Sequence, residues 1–444
     1  MRLEHALECV GAVAPEDYRD FRRQLDPDWI EQALLATGTA TVRRRRLPAD
    51  QVAWLVIGMA LVRNERICAV VDRFELALPG RGQQVAASAI PAARERLGAE
   101  PMAWLFARCA DAWAHASARK HVWRNLAVYG VDGSTLRVAD SPKNRAFFGG
   151  ANSVRGASGY PQIRLVALMA LRSHLLAQVA FGPYQTGEVT YAEELWSSVP
   201  DDAVCIVDRG FFAAGILLLL TQNGSNRHWL TRAKKNLTWR IVERFGRGDH
   251  LIEMDINSHA RAKHPWLPDV WRMRAITYQR KGFRPTTLLT SMLDPVAFPA
   301  SELVALYHER WEIELAYDEI KTEMLEREET LRSKSPASVT QELWGILIAY
   351  NLVRLEMERI ADEIHLPPTR ISFVTALARV VDTWAWIALA SPGTIPKHLL
   401  DLRRRIKRLI LPPRPANRSY PRAVKIKMSN YPRNRRSPSG DSLK

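Results

Sequence analysis

The sequence predicts a mixed α/β protein: an all-helical N-terminal region, a sheet-forming region interrupted by a β-rich segment, a helical region and a basic tail. Three observations predict it. Apolar residues recur at helical spacing from about Pro48 to Ala114, short β-type runs replace them at Leu126, and helical spacing returns near Ser301 after a further β-type stretch. A chain of 444 residues exceeds one ordinary domain, so two or three units are expected. The expected division is 1–120 helical, 121–225 with 294–385 as the α/β body, 226–293 as a β-rich insertion, and 386–444 as a basic C-terminal region and tail.

In chain order, Val52, Leu55, Val56, Met59 and Ala60 mark one helical face, with Pro48 placed for a first turn. Ser88 is positioned to cap a short helix that Gly98 stops. This helix suits either DNA recognition through Arg94 and Arg96 or plain packing. Strands are predicted at Ala127–Val131, Gln162–Leu171, Leu175–Phe181 and Val204–Val207, with helices between Tyr191 and Val199 and from Ala213 to Gln222. Three strands, a helix, a strand and a helix suggest a meander followed by crossovers. The β-type stretch from about His228 to Leu293 then interrupts the pattern before the helix near Ser301.

Charge is unevenly placed. The net formal charge is +16, and residues 401–444 carry 14 Lys/Arg against 2 Asp/Glu, which is +12 of it. Such a tail fits a polyanion, because each cation that neutralises a phosphate releases a condensed counterion; a solubilising tail is the alternative. Arg43–Arg46 poses the same choice between phosphate contact and a solvated linker. The four cysteines, Cys9, Cys68, Cys109 and Cys205, form no C-x-x-C pair, which argues against a disulfide framework or zinc knuckle. Apolar stretches such as Leu343–Val353 fall short of the ~20 residues that span a bilayer. The N-terminus lacks a secretory pattern, so a soluble cytoplasmic protein without membrane contact is expected.

Three acidic positions carry the chemistry. Asp132 follows the strand Ala127–Val131 and leads into Gly133-Ser134-Thr135, and Asp208 ends the apolar run Val204–Val207. An acid ending a buried strand is costly without a cation, so bound metal is one explanation; a turn-capping Asp is the other. Further on, Tyr307, Arg310, Glu314 and Lys321 are spaced by 3, 4 and 7 residues, which places them within an arc of roughly 60° on one helix face. Leu306, Ile313 and Ile320 form the neighbouring apolar stripe. An exposed helix stapled by Glu–Arg and Glu–Lys pairs would show the same spacing.

The words Val131-Asp132-Gly133-Ser134-Thr135-Leu136, Val207-Asp208-Arg209-Gly210-Phe211 and Tyr307-His308-Glu309-Arg310-Trp311, with the ungapped Tyr307/Arg310/Glu314/Lys321 spacing, resemble the insertion-sequence-four family of bacterial DDE transposases. The resemblance covers residues 40 to 380 or so. It implies a ribonuclease-H-like catalytic domain with a β-rich insertion behind a helical DNA-binding domain. It further implies two magnesium ions, replaceable by manganese, held by Asp132, Asp208 and Glu314. Tyr307, Arg310 and Lys321 would contact phosphates at the transposon terminus. The implied partners are terminal inverted repeats and target DNA, engaged by a homodimer, and the implied reaction is cut-and-paste transposition. A tryptophan that stacks a flipped base is a family expectation, for which Trp229, Trp239, Trp266 and Trp271 are candidates, and Arg232-Ala233-Lys234-Lys235 could track DNA.

Other readings are weaker. A haloacid-dehalogenase-type phosphatase needs a second aspartate where Gly130 stands, and neither a Gly-x-Ser-x-Gly elbow nor a phosphate loop ending in Gly-Lys-Ser/Thr occurs. The remaining alternatives are a ribonuclease-H-like nuclease without strand transfer and a catalytically silent DNA-binding regulator.

Overall fold

The computed structural model describes residues 25–40, 47–74, 76–77, 85–153, 156–157, 159–280, 283–326 and 330–389, with single positions up to residue 412. The Arg43–Arg46 run and the tail beyond residue 412 lie outside the described residues. The N-terminal part is helical, as expected: α1 (Pro27–Ala36), α2 (Ala49–Leu61), α3 (Ile67–Arg73), α4 (Ala89–Leu97) and α5 (Glu100–Lys120). Asp26 caps α1 by accepting from the Asp28 amide. Gly98 ends α4 at a φ of 70°, whereas Ser88 makes no side-chain cap. Arg94 on α4 is buried, with hydrogen bonds to Gln341, Ser333 and the Ser338 carbonyl. Packing, not DNA recognition, is therefore the work of that arginine.

The body begins with β1 (Ala127–Val138), α6 (Pro142–Phe148), β2 (Gln162–Ala170), β3 (Leu175–Pro183), α7 (Glu188–Leu195), β4 (Ala203–Val207), α8 (Ala214–Gln222) and β5 (Arg227–Arg232). Next come β6 (Arg240–Gly246), β7 (Asp249–Asp255), α9 (Ser258–Lys263), β8 (Val270–Tyr278) and β9 (Thr286–Thr290). The chain continues through α10 (Ala300–His308), α11 (Trp311–Asp318), a π-helical turn at Glu319–Met324, β10 (Thr330–Leu331), α12 (Pro336–Glu363) and α13 (Phe373–Leu389).

One ten-stranded sheet runs through the body in the order β3-β2-β1-β4-β5-β9-β8-β7-β6, with β10 beside the far end of β1. The meander holds: β1–β2 and β2–β3 are antiparallel, while β1–β4 and β4–β5 are parallel. Every residue of β4 is buried, as a parallel strand covered on both faces requires. The β-type segment after β5 extends the same sheet, since β9 pairs with β5. Behind the sheet α12 packs on α2, which is buried from Gln51 to Leu61. Gly345 lets the two approach, because a Cβ there would lie 2.6 Å from Val56 Cγ1 and 2.7 Å from the Val56 carbonyl oxygen.

Two sequence expectations need correction. Asp132 does not follow a strand; it lies inside β1, which continues to Val138 because β2 pairs with it as far as Arg137. What ends beside Asp132 is the parallel partner, whose last pair is Val131 with Val207. The helix expected from Ser301 is also broken, at Glu309–Arg310, where Arg310 N–H donates to the Tyr307 carbonyl and Glu312 N–H to Glu309. These three-residue closures tighten the chain between α10 and α11.

Candidate active site

Asp132 and Asp208 are brought together by strand register. Each is the first residue past the end of the β1–β4 ladder, so two acids nearly 80 positions apart in sequence emerge side by side. The Gly133 amide donates to Asp132 Oδ1 at 2.8 Å, and the Tyr317 hydroxyl holds the Asp132 carbonyl oxygen at 2.7 Å. Asp208 caps the short turn Arg209–Phe211 by accepting from Gly210 N at 3.3 Å. The turn-cap reading of Asp208 is thus realised.

Glu314, on the first turn of α11, completes the group. Arg310 stands between the carboxylates, with Nη1 at 3.4 Å from Asp132 Oδ2 and Nη2 at 2.5 Å from Glu314 Oε1. Burial, reinforced by Asp208 and Glu314, pushes the Asp132 carboxyl up to about 6 even though the Gly133 amide and Arg310 oppose the shift. Tyr307 is buried, which raises its hydroxyl to about 12, so it is a neutral donor at physiological pH. It lines a cleft of about 300 Å³ with Asp208, Arg209, Arg232, His308, Arg310 and Trp311. Lys321 sits in the π-helical turn, half-buried.

The donor set suits a hard divalent cation, being three carboxylates with no softer ligand. As the side chains stand, no three His, Cys, Asp or Glu residues among the described residues converge closely enough to hold an ion, and the guanidinium of Arg310 bridges Asp132 and Glu314.

Several neighbours escaped the sequence reading. Glu188, at the start of α7, lies against the backbone beside Asp132: a Cβ on Gly133 would be 2.6 Å from Glu188 Cδ. No spacing rule relates positions 133 and 188, so only the fold reveals the contact. Trp311, adjacent to Arg310, is exposed and lines the cleft. Of the tryptophans weighed for base stacking, Trp229 and Trp271 are buried around Phe212, Trp239 is half-buried and Trp266 is exposed. Arg232 reaches the cleft, whereas Lys234 donates to the Phe212 carbonyl.

Asp132 and Asp208 thus lie at the switch from antiparallel to parallel strands, faced by the helix that carries Glu314 with Arg310 at its N-cap. The family model "Transposase DDE domain" matches residues 125–352, and "Insertion element 4 transposase N-terminal" matches residues 15–107. The chain is 39% identical over 411 residues to the transposase InsG for insertion sequence element IS4 of Escherichia coli (strain K12), covering 92% of each. It is 38% identical over 234 residues to the putative transposase InsZ of the same organism, covering 52% of this chain and 77% of InsZ. A solved piggyBac transposase synaptic complex with hairpin DNA covers 94% of this chain and 87% of its own at 12% identity, but its TM-score of 0.40 is too low to inform the fold. The chain belongs to the IS4 family of DDE transposases. It acts in DNA transposition, as an enzyme that cleaves DNA and transfers strands, and its class works with divalent metal ions.

Proposed function

We propose that Asp132, Asp208 and Glu314 are the catalytic carboxylates and hold two magnesium ions, with manganese an effective substitute. The observation that carries this is the ladder end that sets Asp132 beside Asp208, with Arg310 joining Asp132 to Glu314. When bound, such ions activate an oxygen nucleophile and stabilise the leaving 3′-oxygen. The chain's own residues do the rest. The Gly133 amide and Tyr317 hydroxyl fix Asp132, and Arg310 offers a planar fork to the phosphate being cut. Tyr307 donates from the cleft wall, and Lys321 adds a point charge one turn beyond α11. Their substrate is the terminal inverted repeat of the element and then target DNA, moved by cut-and-paste.

The strand order β3-β2-β1-β4, two antiparallel steps and then a parallel one, supports a ribonuclease-H-like body. We assign 121–225 with 294–385 to that body, 226–293 to the β-rich insertion, 1–120 to a DNA-binding helical domain and 386–444 to a basic tail. Pairing two ends in one complex calls for a homodimer on DNA, acting in the cytoplasm at the nucleoid. Cleavage of a duplex carrying the terminal repeat, with magnesium, tests the assignment. Asp132→Ala, Asp208→Ala and Glu314→Ala should each bind the duplex and fail to cut it; near-normal cutting by any one removes that residue from the centre.

A further inference from the structure

The helix that carries Glu314 has a second row of carboxylates. On an ideal helix, positions 312 and 319 fall within about 20° of each other, while position 314 lies about 200° from 312. Glu312 and Glu319 therefore mark the back of α11, away from the face that presents Arg310 and Glu314 to Asp132. They are engaged by other parts of the fold. His174, in the turn between β2 and β3, places Nε2 at 2.8 Å from Glu312 Oε2. Its Nδ1 meets Arg354 Nη2 from α12. Arg354 in turn grips Glu319 through Nε at 3.0 Å and through Nη2, and the Tyr350 hydroxyl donates to Glu319 Oε2 at 2.9 Å. Phe373 of α13 covers the guanidinium, 5.4 Å from ring centroid to Cζ. His174 and Arg354 are almost entirely withdrawn from solvent. Arginine has no acceptor, so His174 Nδ1 accepts and Nε2–H donates to Glu312. One neutral imidazole thus links α12 to the back of α11, and it does so from a φ of +63°, which glycine or asparagine adopts more readily.

We propose that His174, Arg354, Glu312 and Glu319 form a positioning clamp that sets the rotation of α11 about its axis, so that Glu314 faces Asp132. The inference rests on the reading of Glu314 as a metal ligand. The clamp holds α11 just ahead of Glu314, at Glu312, and five residues beyond it, at Glu319, where the π-helical turn with Lys321 begins. Arg172 adds a third hold at Glu309, with Nε at 2.9 Å and Nη2 at 2.8 Å from its carboxylate. A residue that orients a metal ligand typically changes metal affinity by about 10–100-fold when removed.

The test is the affinity of the full-length protein for Mn2+ alone, read as free Mn2+ by electron paramagnetic resonance, in wild type, His174→Leu, His174→Gln and Glu314→Ala. His174→Leu breaks both hydrogen bonds and is expected to weaken Mn2+ binding about 10-fold or more, with gel-shift binding of terminal-repeat DNA in the absence of metal unchanged. His174→Gln keeps one acceptor and one donor and is expected within about threefold of wild type. Equal Mn2+ affinity for His174→Leu and wild type, with Glu314→Ala impaired, overturns the clamp. Equal loss in the Leu and Gln variants overturns it as well, because the hydrogen bonds would then not be the cause. Wild-type affinity in Glu314→Ala overturns the ligand assignment and the clamp with it. Should His174→Leu fail to fold, Glu312→Leu, which removes the acceptor, decides: a loss of severalfold supports the clamp, and no change overturns it.

Discussion

Asp132 at the front of α11 and Glu319 at its back are both withdrawn from solvent, and they end with opposite acidities. Burial, with two like charges near it, lifts Asp132 to about 6. Burial also acts on Glu319, but the Arg354 guanidinium outweighs it and the carboxyl is held down to about 2. The difference is whether the fold supplies the counter-charge. At the back a guanidinium and a phenol hold one carboxylate. At the front one guanidinium serves Asp132 and Glu314, and Asp208 adds a third charge.

The largest test of this contrast is on activity. Removing any front carboxylate should lower terminal-repeat cleavage by at least ~1000-fold, about 4 kcal/mol in transition-state terms, while leaving the melting temperature unharmed; single-turnover cleavage and thermal melts read the two quantities on one sample. The back behaves the other way. Arg354→Met would strand Glu319 as an unpaired buried charge and should lower stability by about 3–5 kcal/mol in urea unfolding. A loss under 1 kcal/mol would show that water reaches the pair.

A smaller effect of opposite sign is expected from Asp132→Asn. With the folded carboxyl raised above its ordinary value of 3.8 to about 6, the folded state holds the proton more tightly. The ionised group therefore opposes folding above pH 6, by on the order of 2 kcal/mol, and this opposition fades as pH falls through 6 toward 4. Asparagine should accordingly stabilise the metal-free protein at pH 8 and confer much less at pH 5, as read by denaturant titration at the two values. The smallest effect belongs to a solvent-facing pair: Arg240→Ala, which loses Asp255 at 3.0 Å, should change stability by no more than about 0.5 kcal/mol. Together these separate pairing as such from pairing out of water.

Much of the architecture could be read from residue order. The meander, the buried parallel strand and the helical N-terminal region follow from apolar periodicity, which responds to burial on one face or two. The failures were local. The apolar run Ala127–Val131 stops at Asp132, yet the ladder with β2 continues alongside Gly133 and Ser134. The break at Glu309–Arg310 and the π-helical turn after Asp318 carry no proline or glycine to announce them. For Arg94 the sequence left packing and DNA recognition open, and its bonds to Gln341, Ser333 and the Ser338 carbonyl decide for packing.

The sequence by itself determined the class of the chain, because the spacing of Tyr307, Arg310, Glu314 and Lys321 and the words around Asp132 and Asp208 are distinctive. Only the tertiary structure decided what stands behind those residues. Glu188 against Gly133, and His174 and Arg354 against Glu312 and Glu319, join segments whose separation in sequence has no periodicity. Such contacts arise where the sheet and α12 meet, and hydrophobic packing of those elements, not local spacing, puts the charges within reach of one another.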